Sequence, residues 1–191
     1  HGNTYLRKAH YMFGWDWGPN LPDAGIWRGV SLHLVNTAEL SDVRLRQFHA
    51  DGKVRITAEI VADVVNPAAE LQAVCTLTAP DGGETRVTVP VKNGKADAEF
   101  TVEHPELWWP NGYGAQPLYT VTVTLQSADK AVDSYTCRLG LRTITVCTDK
   151  DEFPGSQFAV VVNGQKIFSM GANYIPEDNI RGRVTAERSR R

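Results

Sequence analysis

No apolar run in this chain approaches the roughly 18–20 residues that a membrane-crossing helix needs, so none of it reads as such a span. Charge of one sign is missing too. The chain has 20 Lys and Arg against 22 Asp and Glu, a net charge of −2. That balance gives no long-range pull toward nucleic acid or an anionic membrane, and neither is expected as a partner. Cysteine is scarce. Cys75, Cys137 and Cys147 are odd in number and lack metal-type spacing, which argues against a disulfide framework and for packed thiols. His10, His33, His49 and His104 show no ligand spacing either, so no metal and no cofactor are expected. No secretory leader is recognisable, and nothing assigns a compartment.

What the chain does have is alternation. Val54, Ile56, Ala58, Ile60, Ala62 and Val64 are apolar, and most residues between them are polar. Period two is a strand with one wet face. Leu71–Leu77, Val87–Val91, Ala96–Val102, Tyr119–Leu125 and Tyr135–Leu141 repeat it. Turn residues separate the runs: Asp51-Gly52, Asn66-Pro67, Asp81-Gly82-Gly83, Asn93-Gly94 and Asp129-Lys130. Asn93-Gly94 between two alternating runs predicts a tight hairpin. With Leu40–Phe48 added, seven strands are expected between about residue 39 and residue 145, the pattern of an immunoglobulin-like β-sandwich. Ile56, Ile60, Leu77, Val121 and Val123 should be buried. No Cys…Trp…Cys pattern of the antibody kind is present.

Before the sandwich lies Phe13-Gly14-Trp15-Asp16-Trp17-Gly18-Pro19. One carboxylate sits between two indoles, and glycines on both sides let the backbone turn sharply. Such a set can hold a sugar: the CH faces of the ring pack on aromatics and hydroxyls donate to the carboxylate. It can also be an aromatic plug with a turn aspartate.

A series of further blocks bears on that choice. Arg7-Lys8-Ala9-His10-Tyr11 precedes the heptapeptide, and Pro22-Asp23-Ala24-Gly25-Ile26-Trp27-Arg28 follows it. Then come His104-Pro105-Glu106-Leu107-Trp108-Trp109-Pro110-Asn111-Gly112, Gly140-Leu141-Arg142, Val162-Asn163-Gly164 and Gly171-Ala172-Asn173-Tyr174-Ile175-Pro176. This ordered series resembles the β-mannosidases of glycoside hydrolase family 2, from about residue 5 to about residue 180. The Trp-Asp-Trp-Gly loop and Asn-Tyr-Ile-Pro are the parts most particular to the mannosidase branch.

The resemblance implies an all-β chain whose sandwich is flanked by partial domains. Residues 1–37 match the end of a sugar-binding-like jelly roll, ending in one last strand over Trp27–Val35. Residues 38–146 match the sandwich, and 147–191 a linker, a β-hairpin over 157–170 and the first strand of a (β/α)8 barrel. A complete barrel takes about 200 residues or more. The expectation is therefore an excised middle segment of a retaining exo-glycosidase, without the acid/base and nucleophile glutamates and inactive alone. The jelly-roll and barrel domains of the parent would be its partners. By the same resemblance Asp16 accepts hydrogen bonds from a terminal β-mannoside sugar, with Trp15 or Trp17 shaping the wall. A stand-alone carbohydrate-binding or scaffold module is the alternative, and a β-galactosidase or β-glucuronidase fragment a lesser one. Trp108 and Trp109 are expected to pack rather than bind sugar, Asn163-Gly164 to be a turn, and Asn173 to have at most a weak site role. The arginine-rich end, Glu177–Arg191, is expected to be frayed and solvated.

Overall fold

In the computed structural model, residues 5–26 and 28–190 are described. Strand β1 (Phe13–Trp15) and β2 (Gly18–Asn20) form a small antiparallel hairpin. Seven strands follow: β3 (Ala38–Ala50), β4 (Lys53–Val64), β5 (Leu71–Thr78), β6 (Glu84–Pro90), β7 (Lys95–Val102), β8 (Tyr119–Ser127) and β9 (Lys130–Leu139). Then come β10 (Ile144–Cys147), β11 (Ala159–Val162) and β12 (Gln165–Ile167). A single helical turn, Ala186–Ser189, lies near the end. The chain divides into two compact units. One joins His1–His33 to Met170–Arg191, and the other is Leu34–Ser169.

The larger unit holds the expected sandwich. One sheet has the order β3-β4-β7, the other β6-β5-β8-β9, with every neighbour antiparallel. Alternation decides the faces. Val54, Ile56, Ala58 and Ile60 of β4 and Ala96, Ala98 and Phe100 of β7 turn inward. They meet Ala73, Cys75 and Leu77 of β5 and Tyr119, Val121 and Val123 of β8. All five residues expected to be buried are buried. Fully burying one such side chain contributes about 1.5–3 kcal/mol. The edge strands β6 and β9 are only half-covered, and Tyr135 faces solvent despite its place in the pattern. Between β3 and β9 the Leu40 amide donates to Asp133 Oδ2 (2.7 Å), which ties the two sheets together at that edge.

Three tight turns follow the expected chemistry. Asp51-Gly52, Asn93-Gly94 and Asn163-Gly164 all take positive φ at both positions, the geometry that matches strand twist in two-residue hairpins. At Gly94 space also demands glycine, because a Cβ would stand 2.6 Å from the Ala62 carbonyl oxygen. The β8–β9 turn differs from the expected one. It falls on Ala128-Asp129 (φ 47° and 60°), because Ser127 pairs with Lys130. Register in the sheet prevails there over local turn preference.

The expected hairpin after the sandwich is present but has a third member. Strand β10 pairs with β11, and β11 with β12. The strand expected over Trp27–Val35 does not form. Trp27 lies outside the described residues, and residues 29–35 have no ladder partner among those described. Val30, Leu32 and Leu34 are 80 %, 86 % and 83 % exposed. An alternating pattern makes a strand only where another strand accepts its hydrogen bonds.

Residues 181–190, expected to be frayed and solvated, are mostly exposed, but hydrogen bonds tie this stretch to Glu177 and Asp178. Asp178 accepts from Arg183 Nη2 at 2.9 Å and from Arg188 Nη1 at 3.1 Å, and its Oδ1 also takes the Ile180 amide. Arg188 Nη2 reaches the Glu177 carbonyl, and Thr185 caps the last helical turn. The hydrogen bond from Arg183, with help from the Ile180 amide and Arg188, holds the Asp178 carboxyl down at about 2.

Candidate functional site

Within the smaller unit, Phe13 pairs with Asn20 and Trp15 with Gly18, so Asp16-Trp17 is the tip of a two-residue hairpin. The heptapeptide is thus a β-turn on two short strands rather than an irregular loop. Its three expected site residues have different fates. Trp15 is 62 % exposed, and Asp16 is exposed with no hydrogen-bond or ion-pair partner among the described residues. Trp17 is half-buried and packs on Tyr11, ring centroids 5.3 Å apart and tilted by 42°. Tilted contact at this spacing is a favoured aromatic geometry. The plug reading therefore describes Trp17. Trp15 and Asp16 together offer an apolar face and a free acceptor to solvent.

The hairpin is fastened at its base. Met12 is buried under it, and the Leu21 amide donates to the Met12 carbonyl at 2.9 Å. Lys8 bonds both the Asp23 carbonyl and its carboxylate. A cavity of about 550 Å³ opens beside this segment, lined by Leu6, Arg7, Met12, Ile26, Ile180 and Arg181 among others. From the far end of the chain, Asn179 Nδ2 donates to the Pro19 carbonyl at 2.7 Å. Sequence reasoning passed over Asn179. It sits in no periodic run and next to charged residues, so only its partner reveals its role.

The second aromatic block is built differently. The Trp108 amide donates to the Leu141 carbonyl at 2.9 Å, and the Arg142 guanidinium lies over the Trp108 ring at 4.6 Å. Asn163 is more than a turn residue. Its Oδ1 takes the Thr143 amide at 3.0 Å and its Nδ2 donates to the Trp108 carbonyl at 3.1 Å. Gln47 Oε1 takes the Arg142 amide at 2.9 Å. A Cβ at Gly140 would stand 2.9 Å from Trp108. The Trp-Trp-Pro, Gly-Leu-Arg and Val-Asn-Gly blocks thus converge on one packed junction within the larger unit, with no room for a sugar on the Trp108 face that Arg142 covers. Asn173 is exposed.

Among the described residues, no three His, Cys, Asp or Glu side chains are grouped to hold a metal ion. Among the described residues no helix is long and apolar enough to cross a membrane. Cys75 is buried between the sheets, and burial pushes its thiol up to about 11.

A family model described as glycosyl hydrolases family 2 matches residues 38–142, and one described as glycosyl hydrolase 2 galactose-binding domain-like matches residues 1–28. The chain belongs to glycosyl hydrolase family 2. It is 37% identical over 190 residues to β-mannosidase B of Aspergillus oryzae, covering 97% of this chain and 22% of that protein. It is 39% identical to β-mannosidase B of Aspergillus fumigatus over the same shares. The crystal structure of β-D-mannosidase from Dictyoglomus thermophilum superposes with a TM-score of 0.85 at 32% identity, over 100% of this chain and 24% of that one. The exo-chitosanase of Amycolatopsis orientalis shares the fold, with a TM-score of 0.59 at 18% identity over 74% of this chain and 17% of that one. The chain therefore spans about a fifth of the length of the curated relatives it matches.

Proposed function

We propose that this chain is a non-catalytic middle segment of a retaining exo-glycosidase that hydrolyses terminal β-D-mannosyl residues, in the breakdown of mannose-containing carbohydrate. The observation that carries the reading is likeness along 97% of the chain to proteins named β-mannosidases. In this reading residues 1–37 close a jelly roll, 38–146 are the sandwich and 147–191 lead into a barrel. The jelly roll and barrel of the same parent chain are its partners. Retaining hydrolysis needs two carboxyl groups about 5–5.5 Å apart across the scissile bond, and the barrel supplies both. The purified chain should leave an aryl β-mannoside untouched. Turnover that disappears when an Asp or Glu of this chain is mutated would defeat that part of the proposal.

Asp16 and Trp15 are the sugar contacts in this reading, with Trp17 shaping the wall and anchoring the Asp16-Trp17 turn through Tyr11. Support comes from their exposure and from the free carboxylate acceptor at the tip. A hydroxyl donating to a charged acceptor contributes about 1.5–3 kcal/mol. Alone, the tip leaves most of a sugar wet, and the gain barely offsets the entropy lost on association. In the parent enzyme, Asp16→Ala or Asp16→Asn should lower kcat/KM for β-mannosides by about ten- to a thousandfold. Steady-state kinetics beside a melting curve checks this, and an unchanged kcat/KM would return Asp16 to the role of a turn residue.

A further inference from the structure

We propose that Asn179 is the positioning residue of the Trp15-Asp16-Trp17 tip, a role that rests on the sugar-contact reading of that tip. Three observations meet on it. Its Nδ2 donates to the Pro19 carbonyl at 2.7 Å, across 160 residues of chain. It is buried, 8 % exposed, although asparagine is ordinarily a surface residue. And it fills the space beside Gly18, where an added Cβ would stand 2.9 Å from its Oδ1 and 3.2 Å from its Nδ2. Gly18 does not have the positive φ that would require glycine. The space a side chain there would take is held by the Asn179 amide.

The physical need is clear from the hairpin itself. Two strands of three residues make a ladder too small to hold a shape in water. Each strand has an open edge whose carbonyls lack a strand partner. Asn179 supplies the missing donor on the β2 side, directly behind the turn that carries Asp16. It is itself held. Asp178, the preceding residue, is fixed by Arg183, Arg188 and the Ile180 amide, so the backbone that presents Asn179 has little freedom. The arginine-rich end thus becomes part of the site without touching sugar: its guanidinium groups set Asp178, the chain carries Asn179, and Asn179 sets the tip.

Amide hydrogen exchange on the 191-residue chain tests the clamp. Asn179→Ala should speed exchange across residues 13–20 by about tenfold, the scale of one lost buried hydrogen bond, with β4, β5 and β8 unchanged. Asn179→Asp keeps the volume but loses the donor and should loosen the tip as much. Gly18→Ala should do the same by collision, and the double variant Gly18→Ala with Asn179→Ala should be no looser than either single one. Unchanged exchange in the Asn179 variants, or additive losses in the double, overturns the clamp. Kinetics on an aryl β-mannoside in the parent enzyme separates it from the sugar reading. A positioning residue lowers kcat about tenfold with little change in KM. If Asp16→Ala leaves kcat/KM unchanged while Asn179→Ala still loosens the tip, the sugar reading fails and the clamp stands. If Asp16→Ala is damaging and Asn179→Ala loosens the tip without lowering kcat, the positioning role is wrong.

Discussion

Trp15 and Trp108 sit in motifs of similar composition, an indole beside a second indole with proline and glycine nearby. Their neighbours treat them in opposite ways. Around Trp108 the main chain is bonded on both sides, to Leu141 and to Asn163, and a guanidinium covers the ring. Around Trp15 the ring is largely bare and the adjacent carboxylate has no partner among the described residues. Tryptophan in a motif therefore says little by itself. What distinguishes a packing block from an open tip is whether nearby polar groups have spent their hydrogen-bonding capacity within the fold. At the junction the Trp108 main chain and Asn163 have, and Arg142 Nε alone there is left without an acceptor, whereas at the tip the Asp16 carboxylate has no partner among the described residues.

The comparison can be broken most forcefully from the packed side. Phe100→Ala removes the largest inward side chain of β7 and should cost the sandwich about 3–5 kcal/mol, read from a urea transition. A cost below about 1 kcal/mol would mean the sheets collapse onto the gap and the core is less tightly specified than the alternation implies. Asn163→Ala is the next step down. It strands the Thr143 amide and the Trp108 carbonyl together, and about 1–3 kcal/mol should be lost. A neutral result would show that Asn163-Gly164 is only a turn, as its composition first implied.

Acid and alkali should separate the two units. Asp178 has a carboxyl pulled down to about 2 from an ordinary 3.8 by Arg183 and its other donors. A depressed acid contributes stability that is present above its unfolded value and lost as pH falls through the folded one. The Asp178 knot should therefore loosen between about pH 4 and pH 2, visible as faster exchange over residues 174–190. Asp178→Asn should abolish that dependence. Cys75 acts in the opposite direction. Its thiol is raised from 9.0 to about 11 by burial, so its contribution is intact below pH 9 and fades as pH rises toward 11. Melting curves of the sandwich should show this alkaline loss, and Cys75→Ala should lack it.

The smallest effect belongs to the tip. Trp15→Ala and Asp16→Ala should change the melting free energy of the chain by no more than about 0.5 kcal/mol, because exposed residues without partners contribute little to folding. A larger loss from Trp15→Ala would place that ring in the fold and remove the contrast with Trp108.

Much of the sandwich was readable in the chain because period two is a local property. Each strand announces its buried face through its own neighbours, and Asp-Gly and Asn-Gly carry the backbone geometry of their turns in two residues. The seven strands, the five core residues named from alternation, and three of the tight turns follow from that alone. The family was readable for a related reason: ordered short blocks survive as letters. What needed the tertiary structure were contacts between residues distant in the chain. The β8–β9 turn moved one residue because Ser127 and Lys130 are paired in a sheet. The alternating stretch ending at Leu34 formed no strand, because alternation specifies a face and not a partner. Asn163 became a bridge as well as a turn, through Trp108 and Thr143. Asn179 closed on Pro19 across 160 residues, and its amide is the same two heavy atoms as any solvated asparagine in sequence. Composition and periodicity are sums over neighbours along the chain, whereas a hydrogen bond depends on which groups meet in space, and that is decided only once the chain has folded.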